Sequence, residues 1–191
     1  LGGASAVINA VGILYETGPQ KFDAVQSAGA ARLATLAAEQ GVDRFIQISA
    51  IGADSGSPSA YARSKAEGEA AILAACPQAH VLRPSIVVGP EDDFFNRFAR
   101  MAQIAPALPL VGGGLTRYQP VGVFDVAQAV AACLDGAPSG IYELGGPQVY
   151  TFRELMELML DKIGKRRLLV PLPFAAAGML ARPTPWAGSG R

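Results

Sequence analysis

The residues with the clearest chemical potential are Tyr61 and Lys65, four positions apart in the segment 61–69 (YARSKAEGE). Residues four apart on a helix lie on the same face, so we expect the phenol and the ammonium to be neighbours. A free tyrosine has a pKa of about 10, and a nearby positive charge favours the phenolate. The spacing therefore predicts a pair that moves a proton to or from a ligand oxygen. The alternative is two residues that merely share a helix surface.

The composition predicts a folded protein whose two cysteines are free thiols. Half of the 191 residues are apolar and 17% are charged, which predicts one domain with a sizeable core, or one domain with a small appendage. The 16 basic residues balance the 16 acidic ones, which argues against nucleic acid and against electrostatic membrane binding. Cys76 and Cys133 are predicted to be buried free thiols without zinc spacing. No apolar run has transmembrane length and no signal peptide is visible, so we expect a cytoplasmic protein.

The first half of the chain alternates between apolar segments and helical repeats. We predict strands over 4–11, 44–49 and 79–88, and helices over 22–40 and 58–75, the second with Ser57 as N-cap and Pro58 as its first residue. Strands joined by helices of this length predict a parallel sheet with right-handed crossovers. The fold class is therefore α/β, with a Rossmann-like, doubly wound parallel sheet.

Ligands bind such sheets at the carboxyl ends of the strands. Small and polar residues follow the predicted strands there: Asn9 and Gly12, Ser49, and Pro84 with Ser85. Tyr61 and Lys65 lie in the first turns of the helix that follows the second strand. We therefore expect Ser49, Tyr61 and Lys65 to converge at this edge.

The second half is less regular and predicts a mixed region. We expect helices over 93–104, 125–134 and 152–163 and strands over 118–123, 141–144 and 168–170, the last one ending before Pro171. Thr151 and Glu154 match a capping box, and 112–114 (GGG) follows a Pro-rich loop and is predicted to be a turn. Residues 1–90 are predicted to form the Rossmann-like part and residues 91–191 a substrate-side region, with some elements returning to the first part.

With these residues in place, the chain resembles the short-chain dehydrogenase/reductase superfamily in its extended or atypical branch, up to about Leu180. The superfamily's YxxxK is similar to Tyr61 and Lys65, and its strand-end serine to Ser49. The resemblance assigns the acid/base role to Tyr61, ribose binding and lowering of the Tyr61 pKa to Lys65, and a hydrogen bond to the substrate oxygen to Ser49. It assigns cofactor contact to Asn9, Ala10, Val11 and Gly12, to Tyr61 and Lys65, and to Pro84, Ser85, Ile86 and Val87.

Within this branch, four stretches resemble the NAD(P)H-binding accessory subunits of respiratory complex I and their bacterial relatives. They are 48–53 (ISAIGA), 61–69 (YARSKAEGE), 94–98 (FFNRF) and 142–151 (YELGGPQVYT). The resemblance implies NAD or NADP as cofactor, and respiratory complex I or another membrane-associated assembly as partner, on the cytoplasmic face of a bacterial inner membrane. The superfamily's Gly-rich fingerprint is not found, so we expect the sheet to be truncated at its N-terminal side and to lack the half of the site that holds adenine and pyrophosphate.

Other residues have a chemical and a structural interpretation, and for each the structural one is at least as strong. Arg117 resembles a position that holds a substrate phosphate or carboxylate, but it also fits a solvated surface. His80 is expected to be structural, and Asp92 and Asp93 are expected to be helix-capping residues. Asn9 fits a turn as well as a cofactor contact, and Ser49 also fits a strand-end serine that binds the backbone.

Three functional hypotheses follow. In the first, the chain belongs to a complex I-type accessory protein that holds its dinucleotide for structure or redox sensing. In the second, Ser49, Tyr61 and Lys65 serve an active reductase, epimerase or dehydratase with a sugar-nucleotide, steroid-like or isoprenoid substrate. In the third, these 191 residues are an inactive fragment with little affinity for a dinucleotide.

Overall fold

The computed structural model describes residues 3–173, in which the chain divides into two compact units. The first unit comprises the residues up to Gly89 together with Pro120–Pro147, and the second comprises Pro90–Gln119 together with the described residues from Gln148 onward. No helix among the described residues combines the length and apolarity needed to cross a bilayer.

The described strands and helices follow one another in an order typical of α/β proteins. The strands are β1 (Ala6–Asn9), β2 (Arg44–Ile48), β3 (His80–Pro84), β4 (Val87–Val88), β5 (Ala107–Val111), β6 (Arg117–Tyr118), β7 (Val121–Gly122), β8 (Gly140–Leu144), β9 (Tyr150–Thr151) and β10 (Leu168–Leu172). The helices are α1 (Gly29–Glu39), α2 (Ala60–Ala75), α3 (Asp93–Ile104), α4 (Val123–Leu134) and α5 (Phe152–Lys162). A π-helical segment, Asp23–Ala28, runs directly into α1.

The first unit is built on a parallel sheet with the order β1-β2-β3-β8. Alternation along β2 sends Phe45 to one face and Ile46 to the other. Phe45 packs in a cluster with residues of α1 and α2, and Ile46 packs with Leu82 and with Cys133 of α4. Helices therefore cover both faces, which confirms the predicted α/β, Rossmann-like class. Both cysteines are buried free thiols, as predicted.

Helix α1 and its π-helical entry fit closely against α2 because α2 has a glycine at the contact. A Cβ on Gly68 would lie 2.1 Å from the main-chain oxygen of Gln26. No side chain fits that space, so Gly68 lets the two backbones approach. The predicted helix over 22–40 is confirmed, but the six residues Asp23–Ala28 near its start are π-helical, which the apolar spacing did not indicate.

Helix α2 begins later than predicted. Its N-cap is Ser59, whose hydroxyl accepts the N–H of Ala62 at 3.5 Å. The prediction of Ser57 as cap and Pro58 as first helical residue is therefore wrong. Ser57 Oγ instead accepts the N–H of Ser59 at 3.2 Å, which sets up the turn before the helix.

Three predicted strands have different limits in the structure. The predicted strand 79–88 is two strands, β3 and β4, because β3 ends at Pro84. The predicted strand 118–123 is also two, since β6 pairs with β9 whereas β7 pairs with β4. The last strand continues through Pro171 to Leu172 on one side of a two-stranded sheet, where a residue without an N–H is tolerated.

The second unit has its own aromatic and aliphatic core between α3, α5 and the paired strands β5 and β10. Met156 and Met159 are buried there, and Phe94, Phe98 and Phe152 pack edge to face. The capping box of Thr151 and Glu154 is confirmed, as is Asp92 as N-cap of α3. All three residues of 112–114 have left-handed φ angles, between 61° and 77°, which explains why all are glycine.

We predict that Gly68→Ala destabilises the protein although helix propensity alone favours Ala by about 1 kcal/mol. The added methyl group would collide with the main chain of Gln26, and such overpacking costs about 1–3 kcal/mol. Urea unfolding measures the change. Gly56→Ala is the control and should alter stability by less than about 0.5 kcal/mol, since its Cβ would meet only the Asp54 carboxylate, whose nearer oxygen is 3.6 Å away. Equal stability of the two variants would contradict the close approach.

Candidate functional site

The structure brings Tyr61 and Lys65 together at the start of α2. The Lys65 ammonium lies 5.9 Å from the centroid of the Tyr61 ring, and Lys65 is only 7% exposed. Among the described residues, Lys65 Nζ and the Tyr61 hydroxyl make no hydrogen bond. Phe22 packs edge-on against the Tyr61 ring, with 5.7 Å between centroids. The pair is therefore held in position and partly shielded from solvent. Its polar atoms are available to a ligand.

Burial dominates the electrostatics of this pair. It raises the pKa of Tyr61 above its ordinary 10.0. It lowers the pKa of Lys65 below its ordinary 10.5, and the negative charge of Glu69 opposes that shift. Because its pKa is raised, the phenol of the ligand-free protein is protonated at neutral pH.

A glycine and a glutamine complete the surroundings of Lys65 Nζ. A Cβ on Gly12 would lie 3.1 Å from Lys65 Nζ and 3.3 Å from Gln26 Oε1. Gly12 thus leaves a space that both polar atoms face. Gln26 is 3% exposed, and its Oε1 has no hydrogen-bond partner.

The predicted strand-end residue Asn9 is held within the sheet edge. Its Nδ2 donates to Gln47 Oε1 at 2.7 Å, and its Oδ1 accepts the N–H of Val11 at 3.1 Å. These bonds shape the loop after β1, in which Ala10, Val11 and Gly12 are exposed. The main chain of this loop is therefore presented at the carboxyl edge by a fixed turn.

Ser49 is buried at the end of β2, and its hydroxyl donates to the carboxylate of Glu69 on α2. The same carboxylate binds Arg83 of β3, with 2.6 Å between Arg83 Nη2 and Glu69 Oε2. A serine has one hydroxyl proton, and here Ser49 uses it in the hydrogen bond to Glu69. A bond from Ser49 to a substrate oxygen would require this contact to break.

The predicted nicotinamide-side segment connects β3 to β4. Pro84 is buried, and Ser85, Ile86 and Val87 are half-buried. The main chain is fixed from both ends, since Ser85 N donates to Leu144 O and Val121 N donates to Ile86 O, both at 2.9 Å. The segment forms a defined wall of the first unit at the carboxyl end of β3.

The remaining candidates have structural surroundings. His80 Nε2 lies 2.9 Å from the carbonyl oxygen of Ala137, which requires the proton on Nε2 and leaves the buried Nδ1 without a partner. Arg117 is exposed on β6 of the second unit. Its charge helps to lower the pKa of Glu154, after the larger effect of the hydrogen bonds from Thr151.

Three residues of the site were not identified from the sequence: Gln26, Glu69 and Arg83. Glu69 carries a recognisable sequence signal, because it lies one turn beyond Lys65 and a buried carboxylate there needs a cationic partner. Arg83 is the matching cation on the adjacent strand. Gln26 has no such signal, since it lies among the apolar positions that predicted the helix.

Comparison with known proteins identifies a family whose model matches this chain. The model of the family described as RmlD substrate binding domain matches residues 14–185. The subunit 9 of the NADH dehydrogenase [ubiquinone] 1 alpha subcomplex from Arabidopsis thaliana mitochondria is 44% identical over 94% of this chain and 46% of its own length. A ceramide reductase from Caulobacter vibrioides is 32% identical over 90% of this chain and 54% of its own length. The chain thus spans about half the length of these relatives.

A dTDP-glucose 4,6-dehydratase from Streptomyces venezuelae, solved with NAD bound, has a similar fold. Its TM-score is 0.77 at 24% identity, over 90% of this chain and 62% of that one. The predicted resemblance to the atypical short-chain dehydrogenase/reductase branch and to complex I accessory subunits is confirmed by these matches. Because the family model extends over most of its length, the chain belongs to the RmlD substrate binding domain family.

Proposed function

We propose that this chain is part of an NAD(P)H-binding protein that resembles the complex I accessory subunit and holds its dinucleotide for structure or redox sensing. One observation carries the proposal. Gln26 Oε1 is a buried polar atom without a hydrogen bond, and it lies with Lys65 Nζ against Gly12, where a Cβ would come within 3.1 Å of Nζ and 3.3 Å of Oε1. Unpaired buried polar atoms at a sheet's carboxyl edge fit a polar ligand.

The residues present fit the ribose and nicotinamide end of NAD or NADP. Lys65 would bind a ribose hydroxyl, the loop of Asn9 and Gly12 would lie along the dinucleotide, and the segment from Pro84 to Val87 would border the nicotinamide. When bound, the nicotinamide ring supplies or accepts hydride. The choice between NAD and NADP is set by residues that contact the adenosine half.

Two features favour retention of the dinucleotide over turnover. The Ser49 proton is donated to Glu69, so the hydroxyl is not directed at a substrate oxygen. Burial raises the pKa of Tyr61, so the phenol is a poor base at neutral pH. A site arranged in this way binds without needing to move a proton.

We also propose that the protein assembles with respiratory complex I or another membrane-associated complex, on the cytoplasmic face of a bacterial inner membrane. The support is the identity to relatives named as mitochondrial NADH dehydrogenase subunits. Affinity purification of the full-length protein from mildly solubilised membranes should recover respiratory-complex subunits. Recovery without any such subunit would exclude this partner.

A second candidate is an active reductase. It is favoured by the relative named as a ceramide reductase, and by the Tyr61 hydroxyl, which makes no hydrogen bond within the described residues. In this case Tyr61 would give its proton to the carbonyl oxygen of a substrate, and Lys65 would stabilise the resulting phenolate.

We predict that Lys65→Met weakens NADH or NADPH binding about tenfold or more, because a charged hydrogen-bond donor is worth about 1.5–3 kcal/mol. The same change should stabilise the ligand-free protein, since it removes a buried ammonium without a hydrogen-bond partner. The gain should be largest below the lowered pKa of Lys65 and shrink as pH rises towards 10.5, where the lysine loses its charge in the unfolded chain as well.

Calorimetric titration and urea unfolding at several pH values measure both effects of this change. Lys162→Met, at an exposed lysine of α5, is the matched control and should alter neither quantity. Unchanged dinucleotide affinity in Lys65→Met would contradict the site.

We predict that Ser49→Ala leaves dinucleotide affinity within about twofold of the wild type and lowers stability by about 1 kcal/mol, because a buried carboxylate loses one donor. Tyr61→Phe should likewise retain binding. Hydride transfer, measured over carbonyl substrates that include ceramide precursors, separates the two candidate functions. If both variants lose a turnover that the wild type shows, the reductase is supported and the binding-only function is wrong.

A further inference from the structure

The backbone conformation and the packing of Gln26 are unusual for a residue in a helix. It lies in the π-helical segment Asp23–Ala28, and such segments are rare and often mark functional sites. Gly68 of α2 makes room for its main chain, where any Cβ would come within 2.1 Å of the Gln26 carbonyl oxygen. These two features together direct a polar side chain into the interior, where only 3% of the residue is exposed.

The hydrogen bonds of Ser64 determine the orientation of the Gln26 side-chain amide. Ser64 Oγ donates its one proton to the carbonyl oxygen of Tyr61, at 2.9 Å. Ser64 Oγ can therefore only accept from Gln26, so the group 3.0 Å away from it must be the amide nitrogen. The amide oxygen then faces the space beside Gly12, and exchange of the two ends would place two acceptors together or leave the nitrogen unpaired.

The amide oxygen oriented in this way is buried and has no hydrogen-bond partner. A buried acceptor without a donor is unfavourable and rare in native proteins. The Lys65 ammonium lies against the same glycine, since a Cβ on Gly12 would lie 3.1 Å from Nζ and 3.3 Å from Oε1. One side of the space thus offers a donor and the other an acceptor.

A hydroxyl group matches this pair, because its oxygen accepts from the ammonium while its proton is donated to the amide oxygen. A carboxylate or phosphate oxygen would suit Lys65 but would repel Gln26 Oε1. A second ammonium would suit Gln26 but would be repelled by Lys65. The chemistry of the two atoms therefore selects a neutral ligand group that both donates and accepts.

We propose that Gln26 is a ligand-binding residue of this chain, whose Oε1 accepts a hydrogen bond from a ribose hydroxyl of the bound dinucleotide while Lys65 Nζ donates to a hydroxyl of the same ring. The proposal rests on the proposed dinucleotide function. It adds a residue outside the Tyr–Lys pair and explains the π-helical segment, the glycine at position 68 and the unpaired amide oxygen together.

The test compares variants and ligands in the full-length protein. Fluorescence or calorimetric titration measures affinity for NADH and for an NADH analogue that lacks the hydroxyls of the nicotinamide ribose. The wild type should bind the analogue about tenfold more weakly. Gln26→Leu should weaken NADH binding about tenfold and leave the affinity for the analogue unchanged, because the lost acceptor has no donor left to bind.

Gln40→Leu, at an exposed glutamine beyond the end of α1, is the matched control and should bind both ligands as the wild type does. Equal weakening of both ligands in Gln26→Leu would show a purely structural role and would overturn the proposal. Unchanged affinity for both would show that a buried water alone satisfies the amide, with the same consequence. If Gln26→Leu does not fold, the wild-type comparison still decides, since equal affinity for the two ligands contradicts any hydroxyl contact.

These outcomes separate this inference from the function on which it rests. Failure of the wild type to bind NADH or NADPH would overturn both. Tight wild-type binding that is indifferent to Gln26 would overturn this inference alone.

Discussion

The carboxylate of Glu69 is the point on which the site's geometry depends. It is 4% exposed and binds Arg83 of β3 through both oxygens, and it also accepts the hydroxyl of Ser49 at the end of β2. Helix α2 is thereby fixed to two neighbouring strands close to their carboxyl ends. Removal of one partner of such a buried ion pair typically costs about 3–5 kcal/mol, because the remaining charge is left unpaired. Tyr61 and Lys65 occupy the preceding turns of the same helix, so their positions follow from this contact.

Two faces of α2 perform different tasks. The face of Lys65 and Glu69 carries charge towards the sheet edge, and the face of Ser64 and Gly68 packs against the π-helical segment. The unmade hydrogen bonds at this edge, those of Lys65 Nζ and Gln26 Oε1, are concentrated beside Gly12. A fold that leaves these two polar atoms without hydrogen bonds beside one glycine is arranged for a ligand, at some expense in stability.

The sequence predicts what depends on periodicity and local chemistry. The alternation of strands and helices, the capping box at Thr151 and the pairing of Tyr61 with Lys65 on one helix all follow from residue types and spacing. Contacts between segments that are distant in the chain do not follow from residue types and spacing. Ser49 was expected to face a substrate, yet its nearest acceptor is a carboxylate 20 residues away whose burial depends on Arg83. The position of Gln26 does not follow from helical spacing, because a π-helical turn changes which face a residue occupies. Ser59 rather than Ser57 caps α2 because the loop makes one more turn before the helix begins.

The central claim is that a dinucleotide binds where Lys65, Gln26 and Gly12 meet, at the carboxyl edge of the first unit. The most direct measurement is an experimentally determined structure of the full-length protein with NADH or NADPH bound. The account predicts a ribose whose hydroxyls lie within hydrogen-bond distance, about 2.7–3.2 Å, of Lys65 Nζ and Gln26 Oε1, with Ser49 still bonded to Glu69. A dinucleotide bound elsewhere, or a ribose that contacts neither atom, would contradict it.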